Sequence, residues 1–232
     1  MDAFGRAGLD FLKRENDEFI YVESETMEDD VIPVEHLFRS LEEMPDVEKK
    51  ALKECVGKVL DVGGGVGSHS LFLQDENFDV TLLDICDGLC AVANNRGVKK
   101  VIYGDFFDLD STVKYDTLIF MMNGIGIGGS FDFFEKTIQK ATDILNPNGI
   151  VLFDSTDISF CYEQEDGSVV VPLNIEYSGF VKFRLRYKDL ADTWFNWAYY
   201  DMDKLSDLLP DHLTLQVLHE EGPAYSAKIS GF

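Results

Sequence analysis

Residues 58–67, Lys-Val-Leu-Asp-Val-Gly-Gly-Gly-Val-Gly, constrain this chain more than any other stretch. Val59, Leu60 and Val62 surround Asp61 in a short apolar run, and Gly63, Gly64, Gly65 and Gly67 follow. A buried strand ends here in a turn where side chains would obstruct. Glycine tolerates positive φ and lets another molecule lie against bare backbone. A helix-like segment from Ser68 to Gln74 comes next. Strand, glycine turn and helix together open a nucleotide-binding βαβ unit.

Two acids sharpen this reading. Val80-Thr81-Leu82-Leu83-Asp84 reads as a second strand ending in a carboxylate, 21 positions after Gly63. In sheets of this kind an acid about 20 residues on accepts hydrogen bonds from ribose hydroxyls. A third strand-like run, Val101-Ile102-Tyr103, leads into Gly104-Asp105-Phe106. That pair offers a carboxylate for an adenine amino group and a ring for an adenine face.

The ordered set Asp61-x-Gly63-x-Gly65-x-Gly67, Asp84, Asp105-Phe106 and the strand 115–122 followed by Asn123-Gly124 resembles the motifs of class I S-adenosylmethionine-dependent methyltransferases. Asn146-Pro147-Asn148-Gly149, ahead of Ile150–Phe153, resembles that family's turn before its fifth strand. The resemblance covers roughly residues 58–158, with an echo in the last two strands. It implies an α/β, Rossmann-like, doubly wound sheet of seven mostly parallel strands with an antiparallel last strand. It also implies S-adenosylmethionine as cofactor, S-adenosylhomocysteine as product, and transfer to a small-molecule acceptor that the motifs do not name.

Site roles follow from the same resemblance. Gly63 and Gly65 bring backbone to the methionine and ribose portion, with Gly67 completing the turn. Asp61 orients that loop near the amino group, and Asp84 accepts from the ribose hydroxyls. Ile85 packs on adenine, Asp105 takes its amino group and Phe106 lies alongside. Met122 and Asn123 border the methionine end. His69, one residue into the helix, points at the cofactor carboxylate or is an exposed first-turn residue. His36 and Asp154 are candidate general bases, His36 for its near-neutral pKa and Asp154 for its place at a strand end, where ligand crevices form.

Competing chemistries fit less well. A dinucleotide fingerprint G-x-G-x-x-G aligned from Gly63 puts Ser68 at its third glycine, and aligned from Gly65 it puts Ser70 there. An aminopropyltransferase shares the glycine turn but needs a D-x-x-x-x-D acid pair after the fourth strand, and Asp116 and Asp132 are too far apart. A non-catalytic protein that retains the cofactor site satisfies the same motifs.

The remainder of the chain divides around this core. Residues 1–57 read as an N-terminal, largely helical segment: a helix at 4–14, an extended run at 19–22, and helix signals from His36 to Cys55 interrupted by Pro45. It serves as a lid over the cofactor or as a pad on the sheet. Residues 58–232 form the cofactor-binding domain, with strands and helices alternating to 155. A β insertion at about 159–205 precedes a closing hairpin of 212–218 and 224–229. In the insertion Val169, Val171, Leu173, Ile175 and Tyr177 share one strand face, and Val181, Phe183, Leu185 and Tyr187 share another. Opposite the latter lie Lys182, Arg184, Arg186 and Lys188, read as a wet face paired with the protein's own acids in preference to an anion site. These strands also offer an edge for pairing with a second chain. The aromatic run 193–200 is core or the wall of a pocket for a planar acceptor.

Composition excludes several partners. The net charge of −23 repels phosphate backbones, so nucleic acid is not an expected substrate. No apolar run reaches the ~20 residues that span a bilayer. Cys55, Cys86, Cys90 and Cys161 form no C-x-x-C pair, so neither a zinc site nor a disulfide framework is expected. The N-terminus lacks a secretory apolar segment. These features together read as a cytoplasmic protein with reduced thiols.

Overall fold

A computed structural model describes residues 2–15, 18–163, 166, 168, 170 and 175–232. In chain order the first elements are α1 (Ala3–Lys13), β1 (Phe19–Ser24), β2 (Asp30–Pro33) and α2 (Asp46–Leu52). Next come β3 (Lys58–Val62), α3 (Ser68–Asp75), β4 (Asp79–Asp84), α4 (Asp87–Arg96), β5 (Val101–Tyr103), β6 (Tyr115–Phe120), α5 (Phe131–Ile144) and β7 (Leu145–Thr156). The chain closes with β8 (Phe180–Tyr187), β9 (Leu190–Ala191), β10 (Phe195–Ala198), α6 (Met202–Leu208), β11 (Thr214–Glu221) and β12 (Ala224–Ser230).

Seven strands form the main sheet in the order β11-β12-β7-β6-β3-β4-β5. β3 runs parallel to both β4 and β6, and β6 runs parallel to β7. β12 joins β7 antiparallel, with Ala227 opposite Phe153. Strand order therefore reverses between β3 and β6, and a crevice opens beyond their carboxyl ends, where ligands lodge in open α/β sheets. β3 is buried over Val59–Val62 because helices cover both faces. On one side α5 presents Phe134, Ile138, Ala141 and Ile144 to the core at helical spacing. Its start is fixed by Ser130, whose side chain accepts the Phe133 N–H.

A second sheet, β10-β8-β1-β2 with β9 on β8, stands over that crevice. Its strands come from both ends of the chain: Val22 pairs with Leu185, and Phe183 pairs with Phe195. The N-terminal segment thus supplies two strands in addition to its helices. Alternation explains them, since Ile20 and Val22 turn inward while Tyr21 is exposed. The helix expected from His36 to Cys55 is shorter than its signals. Val34–Phe38 and Leu41–Glu43 are 3₁₀ turns, and only Asp46–Leu52 is α-helical. Pro45 at the N-cap and the brevity of each apolar stretch account for the break.

The insertion is realised in part. Val169, Val171 and Leu173 lie outside the described residues, while Ile175 and Tyr177 belong to no strand and Tyr177 packs into the main core. β8 forms as expected, but it sits between β10 and β1, so it offers no free pairing edge. Its outer cations are all paired: Lys182 with Glu25, Arg184 and Arg186 with Glu23, and Lys188 with Asp10.

Candidate active site

β3 delivers Asp61 to the foot of the glycine turn. The turn itself is held by backbone, the Gly63 and Gly64 N–H groups donating to Leu83 O at 2.8 and 3.2 Å. Gly63 and Gly65 have φ of 68° and 57°. A Cβ at Gly63 would meet nothing within 4 Å, and one at Gly65 would meet only the Gly63 carbonyl at 4.0 Å. Both therefore open bare backbone onto free space. Gly64 is different, because a Cβ there would lie 2.7 Å from Leu82 and 2.8 Å from Asp61. Gly67 starts α3 at φ 86° with its back to Val98, away from the opening.

The free space is a cavity of about 1270 Å³ between the glycine turn and the second sheet. It exceeds the roughly 300–1,000 Å³ of a single-ligand pocket. One end is walled by Asp61, Gly63–Val66, His69, Asp84, Ile85, Met121 and Met122. The other end is walled by Val22, Phe183, Leu185, Phe195, Trp197 and Tyr199. The residues 26–30, which link β1 to β2, form part of its rim.

Most of the site residues expected from the sequence converge here. Asp84 is buried, its carboxylate accepting the Gly65 N–H at 2.9 Å and the Cys86 N–H at 2.8 Å. Burial raises its pKa despite those two bonds. Ile85, beside it, is 68 % exposed. Asp61 accepts the Ser70 hydroxyl at 2.6 Å, and burial pushes its carboxyl up. His69 is buried rather than exposed, and its Nε2 lies 2.7 Å from Glu48 Oε2. Arg39 Nη2 donates to Glu48 Oε1 at 3.0 Å. Burial alone would raise Glu48, but His69 and Arg39 outweigh it and hold the carboxyl below its ordinary value. His69 is raised in turn: burial opposes its charge, and Glu48 and Asp61 prevail. Arg39, Glu48 and His69 are thus a buried, hydrogen-bonded triad beside the glycine turn.

The end of β6 makes a second turn. Met122 and Asn123 have φ of 59° and 58°, two adjacent left-handed residues without glycine. Asp154 Oδ2 accepts the Asn123 N–H at 3.0 Å, and the Trp197 indole donates to the Asn123 carbonyl at 3.1 Å. One strand from each sheet therefore clamps a conformation that costs of order 1 kcal/mol or more per residue. Met122 reaches the cavity wall, whereas Asn123 and Asp154 stand behind it. Asp154 Oδ1 has no partner, and burial pushes its pKa up to about 7.

Besides Gly67, three expected residues lie elsewhere. Asp105 accepts the Phe107 N–H at 2.9 Å as the cap of a short 3₁₀ turn. The Phe106 ring is buried against Phe107 and Phe120 in the main core. His36 is exposed and off the cavity wall, since its one-turn helix turns Leu37 and Arg39 inward instead. Sequence reading also missed Cys86, Asp2 and Phe4 on the wall, and Glu48 and Ser70, which hold His69 and Asp61 from behind it. The Cys86 thiol donates to Asp2 at 3.0 Å, and burial pushes its pKa up to about 12. Among the described residues no helix is long and apolar enough to cross a membrane.

Comparison with known proteins gives this arrangement a family. A family model described as "Methyltransferase domain" matches residues 34–216. An uncharacterized methyltransferase of Staphylococcus carnosus is 25 % identical over 177 residues, which is 75 % of this chain and 78 % of that protein. The crystal structure of an S-adenosylmethionine-dependent methyltransferase from Bacteroides fragilis, in complex with S-adenosyl-L-homocysteine, is 34 % identical and superposes with a TM-score of 0.90 over 98 % of this chain and 94 % of that one. The CcbJ methyltransferase of Streptomyces caelestis shares the fold at 12 % identity, with a TM-score of 0.62 over 82 % of this chain and 97 % of that one. The glycine turn, the strand-end carboxylates and these relatives together place the chain in the class I S-adenosylmethionine-dependent methyltransferase family.

Proposed function

We propose that the cavity holds the methyl donor against the glycine turn and a small-molecule acceptor against the second sheet. The observation that carries this reading is the pair of positive-φ glycines, Gly63 and Gly65, whose missing Cβ atoms leave a cradle open to the cavity. Asp61 and Asp84 flank that cradle. Asp84 has already accepted two backbone N–H groups, yet each carboxylate oxygen keeps a further lone pair for a ribose hydroxyl. Ile85 offers its exposed side chain to the adenine face. Met122 borders the methionine end, with Asn123 and Asp154 fixing its turn. Arg39 and His69 line the wall where the methionine carboxylate would lie, the guanidinium supplying positive charge and the imidazole a hydrogen-bonding group. Asp105 and Phe106 are not part of this assignment, because the one caps a turn and the other fills the core.

S-adenosylmethionine supplies a methyl group already activated by its sulfonium. The chain's own task is then to hold two reactants in line, which can lower a barrier by several kcal/mol. The N-terminal segment acts as a fixed lid: β1 and β2 form part of the cavity wall, and α1 packs on α4 beneath it. Four free cysteines, three of them buried, suit a reducing, cytoplasmic setting.

Calorimetric titration with S-adenosylhomocysteine tests the donor site. Asp84→Ala is expected to weaken binding by ~1–3 kcal/mol, the scale of hydrogen bonds to a charged group. Unchanged affinity in a folded Asp84→Ala protein would reject the ribose assignment.

A further inference from the structure

The acceptor end of the cavity has a definite chemistry. Phe195, Trp197 and Tyr199 alternate along β10 and its extension, so all three face the same way. Phe183 on β8 stands beside them, its ring 6.3 Å from both Phe195 and Tyr199, and Phe195 lies 6.1 Å from Trp197. The inner face of the second sheet is therefore a continuous aromatic wall opposite the glycine turn. Flat rings pack on such a wall by offset or edge contact. A flexible aliphatic chain would gain less from it.

The charge of the cavity discriminates further. Among the described residues seven carboxylates line it: Asp2, Glu28, Asp29, Asp30, Asp61, Asp84 and Asp192. Among the described residues only Arg39 and His69 stand against them, both engaged by Glu48. Glu28, Asp29 and Asp30 form no ion pair among the described residues, although Asp29 and Asp30 each accept a backbone N–H. A phenolate or carboxylate would be repelled here, and an ammonium would be drawn in. Tyr199 brings a hydroxyl to that wall. Among the described residues the Tyr199 hydroxyl has no hydrogen-bond partner, and its phenol is raised by burial and then by the neighbouring Asp30, Cys161 and Asp154.

We propose that the acceptor is an amine carried on a flat aromatic body, its ring lying on Phe183, Phe195 and Trp197 and its nitrogen held at the Tyr199 hydroxyl. This rests on the donor site described above. The ammonium enters as a cation and loses one proton to water at the open rim. A remaining N–H donates to the Tyr199 oxygen, which leaves the nitrogen lone pair free. That pair forms the new nitrogen–carbon bond as the carbon–sulfur bond breaks with its electrons kept by sulfur. The methylated nitrogen is then the cation, and the former sulfonium is a neutral thioether.

Binding to the protein saturated with S-adenosylhomocysteine reads this without turnover. Tryptamine and phenethylamine are compared with indole-3-propionate, p-cresol, hexylamine and spermidine. The two aryl amines are expected to bind at least tenfold more tightly than any of the other four. They are also expected to take label from methyl-tritiated S-adenosylmethionine onto nitrogen. Phe195→Ala and Tyr199→Phe should each weaken tryptamine at least fivefold, with S-adenosylhomocysteine affinity changed less than twofold. Phe183→Leu, which keeps the apolar volume, should weaken it in the same direction should Phe195→Ala lose its fold. Preference for the phenol, the carboxylate or a ringless amine overturns the proposal, as does tryptamine binding indifferent to all three variants. If S-adenosylhomocysteine itself fails to bind the native protein, the donor site is wrong. If it binds and no aryl amine does, the acceptor inference alone falls.

Discussion

Asp154 carries one occupied oxygen and one bare one in a fully enclosed position. Its folded pKa of about 7 stands above the ~3.9 of a free aspartate. Between those values the folded state binds more protons than the unfolded one, so this group makes stability fall as pH rises from about 4 to about 7, with no further change above. Asp154→Asn keeps an oxygen for the Asn123 N–H and removes the titration. Denaturant melts across that window should show the variant less pH-dependent than the native protein, the difference approaching ~1.4 kcal/mol per pH unit. A constant offset between the two would contradict the assignment. Residues of this kind were unevenly visible beforehand. Gly63, Gly65, Asp61 and Asp84 announce themselves because turn and strand end fix their surroundings locally. Glu48 does not, since an acid in a short amphipathic helix looks like any solvated one until Arg39 and His69 close over it.

Helix α1 reaches the site through a close crossing with α4. A Cβ added at Gly88 would lie 2.7 Å from the Gly5 Cα and 3.0 Å from its carbonyl carbon, contacts with backbone that cannot rotate away. Gly88→Ala should therefore push α1 outward and destabilise by about 1–3 kcal/mol, the usual cost of overpacking. Faster amide exchange confined to α1 and the start of α4 would locate the damage; uniform exchange would argue against this crossing as its source. Elements with a strong period or a clear glycine or acid boundary were legible in the chain: α1, α3, β4, α4, α5, β8 and the closing hairpin all stand within a few residues of expectation. Boundaries moved where caps and turns decide them. The strand expected to reach 122 stops at Phe120, because Met122 and Asn123 take left-handed conformations that no apolar pattern signals. The stretch from 34 to 52 lost its long helix for the converse reason: Val34, Leu37 and Phe38 pack under the second sheet, whereas Leu41, Met44, Ala51 and Leu52 pack on the main one.

At the scale of the whole molecule, 43 acids face 20 basic residues, and four of those cations are engaged along β8. Self-repulsion of this size opposes compaction. Raising NaCl from ~0.05 to ~0.5 M should screen it and lift the melting temperature by several degrees. A fall in melting temperature instead would mean that the β8 ion pairs matter more than the net field. The main sheet could be anticipated because its strands and crossovers follow one another along the chain. The second sheet could not, since no local pattern tells residues near 22 that their partner stands near 185.

That distant pairing sets a schedule during synthesis. Glu23 emerges 163 residues before Arg186, the cation it will meet. At ~5–20 residues per second, the first-made hairpin waits on the order of 10–30 seconds on the ribosome before β8 arrives to shelter Ile20 and Val22. Helix α1 is relieved sooner, once α4 has been made. For that interval the nascent chain carries an unsatisfied strand edge, and its crowd of early carboxylates is what keeps neighbouring chains at a distance.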